Sequence, residues 1–228
     1  MRLFSPARGG SVLPRAILLL AGCVLMATLD GAAAMQRRRT TTRKPPAPAT
    51  KTEPADVKCP ELLGTGVRTA STYCFVLAGR DPAEGVIVTV PPHLGEASLR
   101  FDLHNRHTYS EEEMRAGRTY AKYTAVLGVL TMKGELLERG AVQSEFRSAK
   151  DLYERISGGA GPGGVKAVAP LGREQITIPL PQAVTQVSLL GEVLEAITAA
   201  GRETAAPGRP VALVSNVTVE YRAAKARR

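Results

Sequence analysis

Three histidines, His93, His104 and His107, are all that the 228 residues contain, and they bound any acid–base or metal chemistry. Imidazole titrates nearest neutrality and is the commonest metal ligand. Two of the three lie in one segment, Ala97-Ser-Leu-Arg-Phe-Asp-Leu-His-Asn-Arg-His-Thr-Tyr109. Leu99, Phe101 and Leu103 alternate there with Arg100, Asp102 and His104, the pattern of a strand with one face in a core and the other in water. Asp102 and His104 therefore share the wet face. His104 and His107, three apart, point to opposite faces and do not chelate together. A zinc site would need a further ligand from His93 or Glu111. A hydrolytic or metal-dependent activity would sit on the Asp102/His104 face, and a solvated strand face is the plainer reading. No metal centre and no cofactor is assigned.

Other chemistries find little. No G-x-S-x-G elbow occurs. Gly159-Ala-Gly-Pro-Gly-Gly164 spells G-x-G-x-x-G, but a helical stretch precedes it and a strand follows, the reverse of a dinucleotide site. As a loop it can still line a ligand site. Glu111, Glu112 and Glu113 follow Ser110, a capping box opening a short helix that stops at Gly117. Calcium would need more converging oxygens than this run supplies. Asn216-Val-Thr218 is a formal glycosylation sequon placed mid-strand. Tryptophan is absent, so stacking work falls to six Tyr and four Phe. Tyr109 and Tyr153 are the candidate ligand-binding anchors beside Asp102 and His104, near the loop ends 105–117 and 157–164.

These residues need elements to hold them. Thr119 to Met132 is dense in Val, Leu, Thr and Tyr, types suited to a pleated, half-buried surface. Lys133-Gly134 is a turn signal, and Glu135 to Phe146 returns with Leu136, Val142 and Phe146 on one face. Further strands are predicted over 71–77, 85–90, 97–109, 165–168, 175–180 and 210–222, the one containing Pro179 at an edge or bent. Ser148 to Ser157 carries capping spacing and a Leu152/Ile156 face, which predicts a short helix. Residues 188–201 fit either a helix or a strand that starts at Gln186, and the β character around them favours strand. About eight strands separated by turn signals predict a mainly β fold, an antiparallel two-sheet sandwich, jelly-roll-like or immunoglobulin-like, with one or two short helices.

Arg2, Arg8 and Arg15 precede an apolar run from Ala16 to Leu29 and a small-residue site at Gly31-Ala-Ala-Ala34. That order predicts a secretory signal peptide over 1–34, too short in its apolar part to span a membrane. Leu20-Ala-Gly-Cys23 resembles a lipobox, the basis of an alternative in which Cys23 is lipidated and anchors the protein in the envelope. Residues 35–58, basic and rich in Pro and Thr, predict a disordered linker. The folded domain is expected over 59–222, with a basic tail over 223–228.

The net charge of +9 is uneven: residues 59–221 hold 16 basic and 18 acidic groups. The body is thus near neutral and the basic groups gather at the ends. No nucleic-acid partner is expected from such a body, whereas basic tails suit loose contact with an anionic envelope surface. Cys59 and Cys74 remain after removal of 1–34, and an even pair in an exported chain predicts a disulfide. Together these features predict an exported, periplasmic or secreted, non-catalytic binding or structural module of the bacterial cell envelope.

Overall fold

The computed structural model describes residues 49–157 and 167–224. The signal-like segment, most of the basic linker, the Gly159–Gly164 motif and the last four residues lie outside them. Among the described residues twelve strands run in chain order: β1 (Thr50–Pro54), β2 (Asp56–Lys58), β3 (Leu62–Thr65), β4 (Thr72–Leu77), β5 (Val86–Thr89), β6 (Ala97–Tyr109), β7 (Ala121–Thr131), β8 (Leu136–Phe146), β9 (Ala167–Leu180), β10 (Gln186–Thr198), β11 (Gly201–Thr204) and β12 (Pro210–Arg222). One short helix, α1 (Glu111–Arg115), joins β6 to β7 with Ser110 as its N-cap.

The strands form two antiparallel sheets, β3-β4-β12-β6-β9 with β1 also on β12, and β2-β5-β10-β7-β8 with β11 also on β10. Counting only β4 to β10 and β12, the orders become first-eighth-third-sixth and second-seventh-fourth-fifth. That is the connectivity of a jelly roll, which settles the choice between the two predicted sandwiches. The inner faces meet in an aliphatic core in which Leu99, Phe101 and Leu103 pack with Leu127, Val129 and Leu189, all buried. The alternating apolar residues of each strand supply this layer. A disulfide joins Cys59, just after β2, to Cys74 in β4, Cα atoms 5.4 Å apart, and so ties one sheet to the other.

Several expectations are corrected. Thr50–Pro54 and Asp56–Lys58 are paired strands, so part of the expected linker belongs to the sandwich. The strands predicted over 165–168 and 175–180 are one strand, β9, broken by a bulge at Gly172 (φ +66°). Gly172 has no room for a Cβ, which would come 2.9 Å from that of Ser144. Pro179 does lie on an edge strand, where a missing N–H costs no ladder bond. Leu136 leaves the face of Val142 and Phe146, because a register shift places Leu130 opposite Leu136 and Val129 opposite Glu138. Leu136 is exposed while Leu137 packs on the core. Residues 186–198 are strand, as the β character favoured.

The helix expected over 148–157 is a single 3-10 turn, Ala149–Asp151. Its capping box forms, with Asp151 Oδ2 accepting the Ser148 N–H at 2.7 Å. The chain then turns extended and lies across the first sheet. Tyr153 N–H donates to the Pro170 carbonyl (3.0 Å), and Val67 N–H to that of Arg155 (3.0 Å). Leu152 joins a cluster with Phe146 and Leu171, whereas Ile156 joins Tyr73, Phe75 and Leu213. Two separate apolar sites outcompete one helical face. The segment 152–157 becomes a strap over the outer face of the first sheet.

Candidate functional site

The strap changes the chemistry of the Asp102/His104 face. Alternation is as read, but the face is not wet: Asp102 is 1% and His104 0% exposed. His104 lies against Tyr73 and Tyr153, ring centroids 5.4 and 4.8 Å away. Its Nδ1 is 2.6 Å from the Gly172 carbonyl, which can only accept, so Nδ1 carries the proton. Nε2 is then the acceptor for the Ser215 hydroxyl at 3.0 Å. Burial lowers the His104 pKa and Arg173 adds to this, against the Gly172 bond and the Asp102 charge. The imidazole is neutral and fully engaged.

Asp102 does not orient His104 by a hydrogen bond. Its Oδ2 accepts from Arg173 Nε (3.0 Å) and from Asn216 Nδ2 (2.8 Å). Asn216 occupies a bulge in β12 at φ +52°, a left-handed position that Asn tolerates. The sequon is therefore not in regular strand, and its amide also accepts from Ser71 Oγ (2.8 Å). Tyr153 shares this region, with Arg68 and Arg173 each 5.9 Å from its ring centre. Ser215 was invisible to motif reading because its partner lies 111 residues away. A serine hydroxyl against imidazole is a nucleophile–base spacing, yet Ser215 is 1% exposed and no substrate reaches it.

His107 belongs elsewhere. It faces the second sheet, where Nδ1 meets the Tyr123 hydroxyl at 2.8 Å and the ring stacks on Phe146 with centroids 3.9 Å apart. Burial, then the Arg106 charge, pushes its pKa down to about 4. Burial first, then Glu203, raises that of Tyr123, with Arg106 opposing. Both groups are uncharged at neutral pH. His93 is a third separate case, Nδ1 donating to the Pro91 carbonyl at 2.9 Å. Among the described residues no group of three or more His, Cys, Asp or Glu could hold a metal ion.

The concave feature beside His107 is a cleft of about 410 Å³ at the end of the sandwich where β6 passes through α1 into β7. Tyr109, Tyr120 and Tyr123 line it, with Thr198 at the end of β10 and Glu203 in β11. Tyr120 is 44% exposed at the surface. Arg118 closes on Glu113 through two bonds of 3.0 Å. Of the four residues singled out in the sequence, Asp102 and His104 thus lie under the strap that carries Tyr153, and Tyr109 lies apart in this cleft. Tyr120, Tyr123 and Glu203 were missed, since a long-range cleft leaves no local spacing.

No protein-family model matches the chain, and no curated protein matches its sequence. Among solved structures it is similar to a chain of the T13 IBDV viral particle, at 9% identity and TM-score 0.26, over 75% of this chain and 31% of that one. A chain of the infectious bursal disease virus Gx strain matches at 13% identity and TM-score 0.24, over 78% of this chain and 33% of that one. The chain spans about a third of the length of each. Likenesses this slight bear on neither the topology nor the function described above.

Proposed function

We propose that the protein is an exported, non-catalytic β-sandwich module of the cell envelope that binds its ligand in the tyrosine-lined cleft. The observation carrying this reading is that three of the six tyrosines gather round one concavity whose histidine and buried phenol are both uncharged at neutral pH. A general acid or base works best with a pKa near the operating pH, and this pair is displaced in opposite directions. What remains is shape, aromatic surface and hydrogen bonding, the equipment of recognition. The signal-like N-terminus and the disulfide support export. The basic ends support a weaker, salt-sensitive contact with an anionic surface.

Retention of the protein on envelope material from its source organism, at low and at high salt, tests the reading. Binding through the cleft survives high salt and falls in Tyr120→Ala, a change at an exposed ring that leaves the core alone. Retention that Tyr120→Ala leaves intact overturns it.

A further inference from the structure

We infer that the ligand of the cleft is an uncharged saccharide, stacked on Tyr120 and held through its hydroxyls by Glu203 and the neighbouring threonines. This rests on the cleft being the binding site. Tyr120 is 44% exposed and lines the concave site, so its ring is open to a ligand there. A pyranose ring presents a face of C–H groups that packs on such a π surface, while its edge carries hydroxyls.

The polar groups around that face match a sugar's edge. The Ser110 hydroxyl is taken by the Glu113 N–H and that of Thr198 by the Ala200 N–H and the Gly201 carbonyl, but those of Thr108 and Thr119 each donate and accept, as a sugar hydroxyl does. Glu203 is a carboxylate, acceptor only, able to take two hydrogens from adjacent hydroxyls. It forms no ion pair among the described residues, whereas Glu113 is held by Arg118. Arg106 acts on both His107 and Tyr123, so with Arg118 it balances the two carboxylates of the lining, Glu113 and Glu203, and the cleft has no net charge with which to hold an anion or a cation. A volume of about 410 Å³ falls within the span of small-ligand sites. A folded protein partner would instead need about 800 Å² of surface on each side, with an apolar centre.

Envelope material from the source organism is divided into untreated, periodate-oxidised and protease-digested portions, and binding of the protein, of Tyr120→Ala and of Glu203→Gln is measured on each. Periodate cleaves vicinal diols and leaves peptide bonds whole. The inference expects binding to be lost after periodate and kept after protease, with Tyr120→Ala weaker by roughly tenfold on untreated material and Glu203→Gln also weakened. Binding lost after protease and kept after periodate overturns the saccharide, while a weak Tyr120→Ala would still uphold the cleft. Binding that is equal in Tyr120→Ala and the unsubstituted protein overturns both readings.

Discussion

The hydroxyl of Ser215 stands 3.0 Å from Nε2 of His104, and neither residue is more than 1% exposed. The pair has the spacing of a nucleophile and its base, but the imidazole's other nitrogen is spent on the Gly172 carbonyl and the strap lies overhead. Its role is structural. A fluorophosphonate probe is expected to leave Ser215 unlabelled in the folded protein, as read by peptide mass spectrometry. Ser215→Ala strands a buried acceptor and is expected to cost about 1–3 kcal/mol in a denaturant titration.

His107 makes stability depend on acid. Its folded pKa of about 4 lies below the ordinary 6.5, so between those values the unfolded chain binds the proton and the native state does not. Stability is then full above pH 6.5 and falls as pH drops through this window, by on the order of 3 kcal/mol in all. His104, lowered by burial as well, acts in the same direction. Urea unfolding at a series of pH values should show the decline, and His107→Gln should flatten it. A pH-independent midpoint between 6.5 and 4 would contradict the neutral, sealed imidazole.

The Cys59–Cys74 link closes a 15-residue separation. Cys59→Ser with Cys74→Ser is expected to lower stability by about 3 kcal/mol in the chain-entropy view. The same loss should appear on adding reductant to the unsubstituted protein, with far-ultraviolet circular dichroism still β-like below the new transition.

Glu154 holds the turn between β3 and β4 in place. Only 4% exposed, it accepts the N–H groups of Arg68 (2.6 Å) and Thr69 (3.0 Å). Burial alone would raise its pKa, but the Thr69 hydroxyl, these two amides and the Arg68 charge together lower it. Glu154→Ala is expected to cost about 1–3 kcal/mol. Hydrogen exchange should quicken at the Arg68 and Thr69 amides while those of Leu99 to Leu103 keep their protection.

Much of this architecture is legible in local pattern. Leu99, Phe101 and Leu103 announce an inward face, and that face is the core. The Ser110–Glu113 spacing announces a cap, and Ser110 Oγ accepts the Glu113 N–H. What fails is whatever depends on a distant element. Nothing near Asp102 in sequence says that residues 152–157 cross above it, so its face reads as wet. Leu152 and Ile156 have helical spacing, but β9 and the Tyr73 cluster claim them separately. A register shift near Leu137 reverses the side on which Leu136 falls, and no composition rule marks it. Gly172 looks like any loop glycine until Ser144 is seen beside it. Of the residues lining the cleft, Tyr109 is singled out in the sequence, while Tyr120, Tyr123 and Glu203 are not.

The pairing of β1 with β12 sets Thr50 opposite Arg222 and Pro54 opposite Thr218, so the two ends of the described body leave from the same end of one ladder. Tension applied between those ends would open that ladder rung by rung, like a zip, instead of loading all its bonds in shear. On that geometry the margin yields first while the interior clamped by Cys59 and Cys74 stays whole.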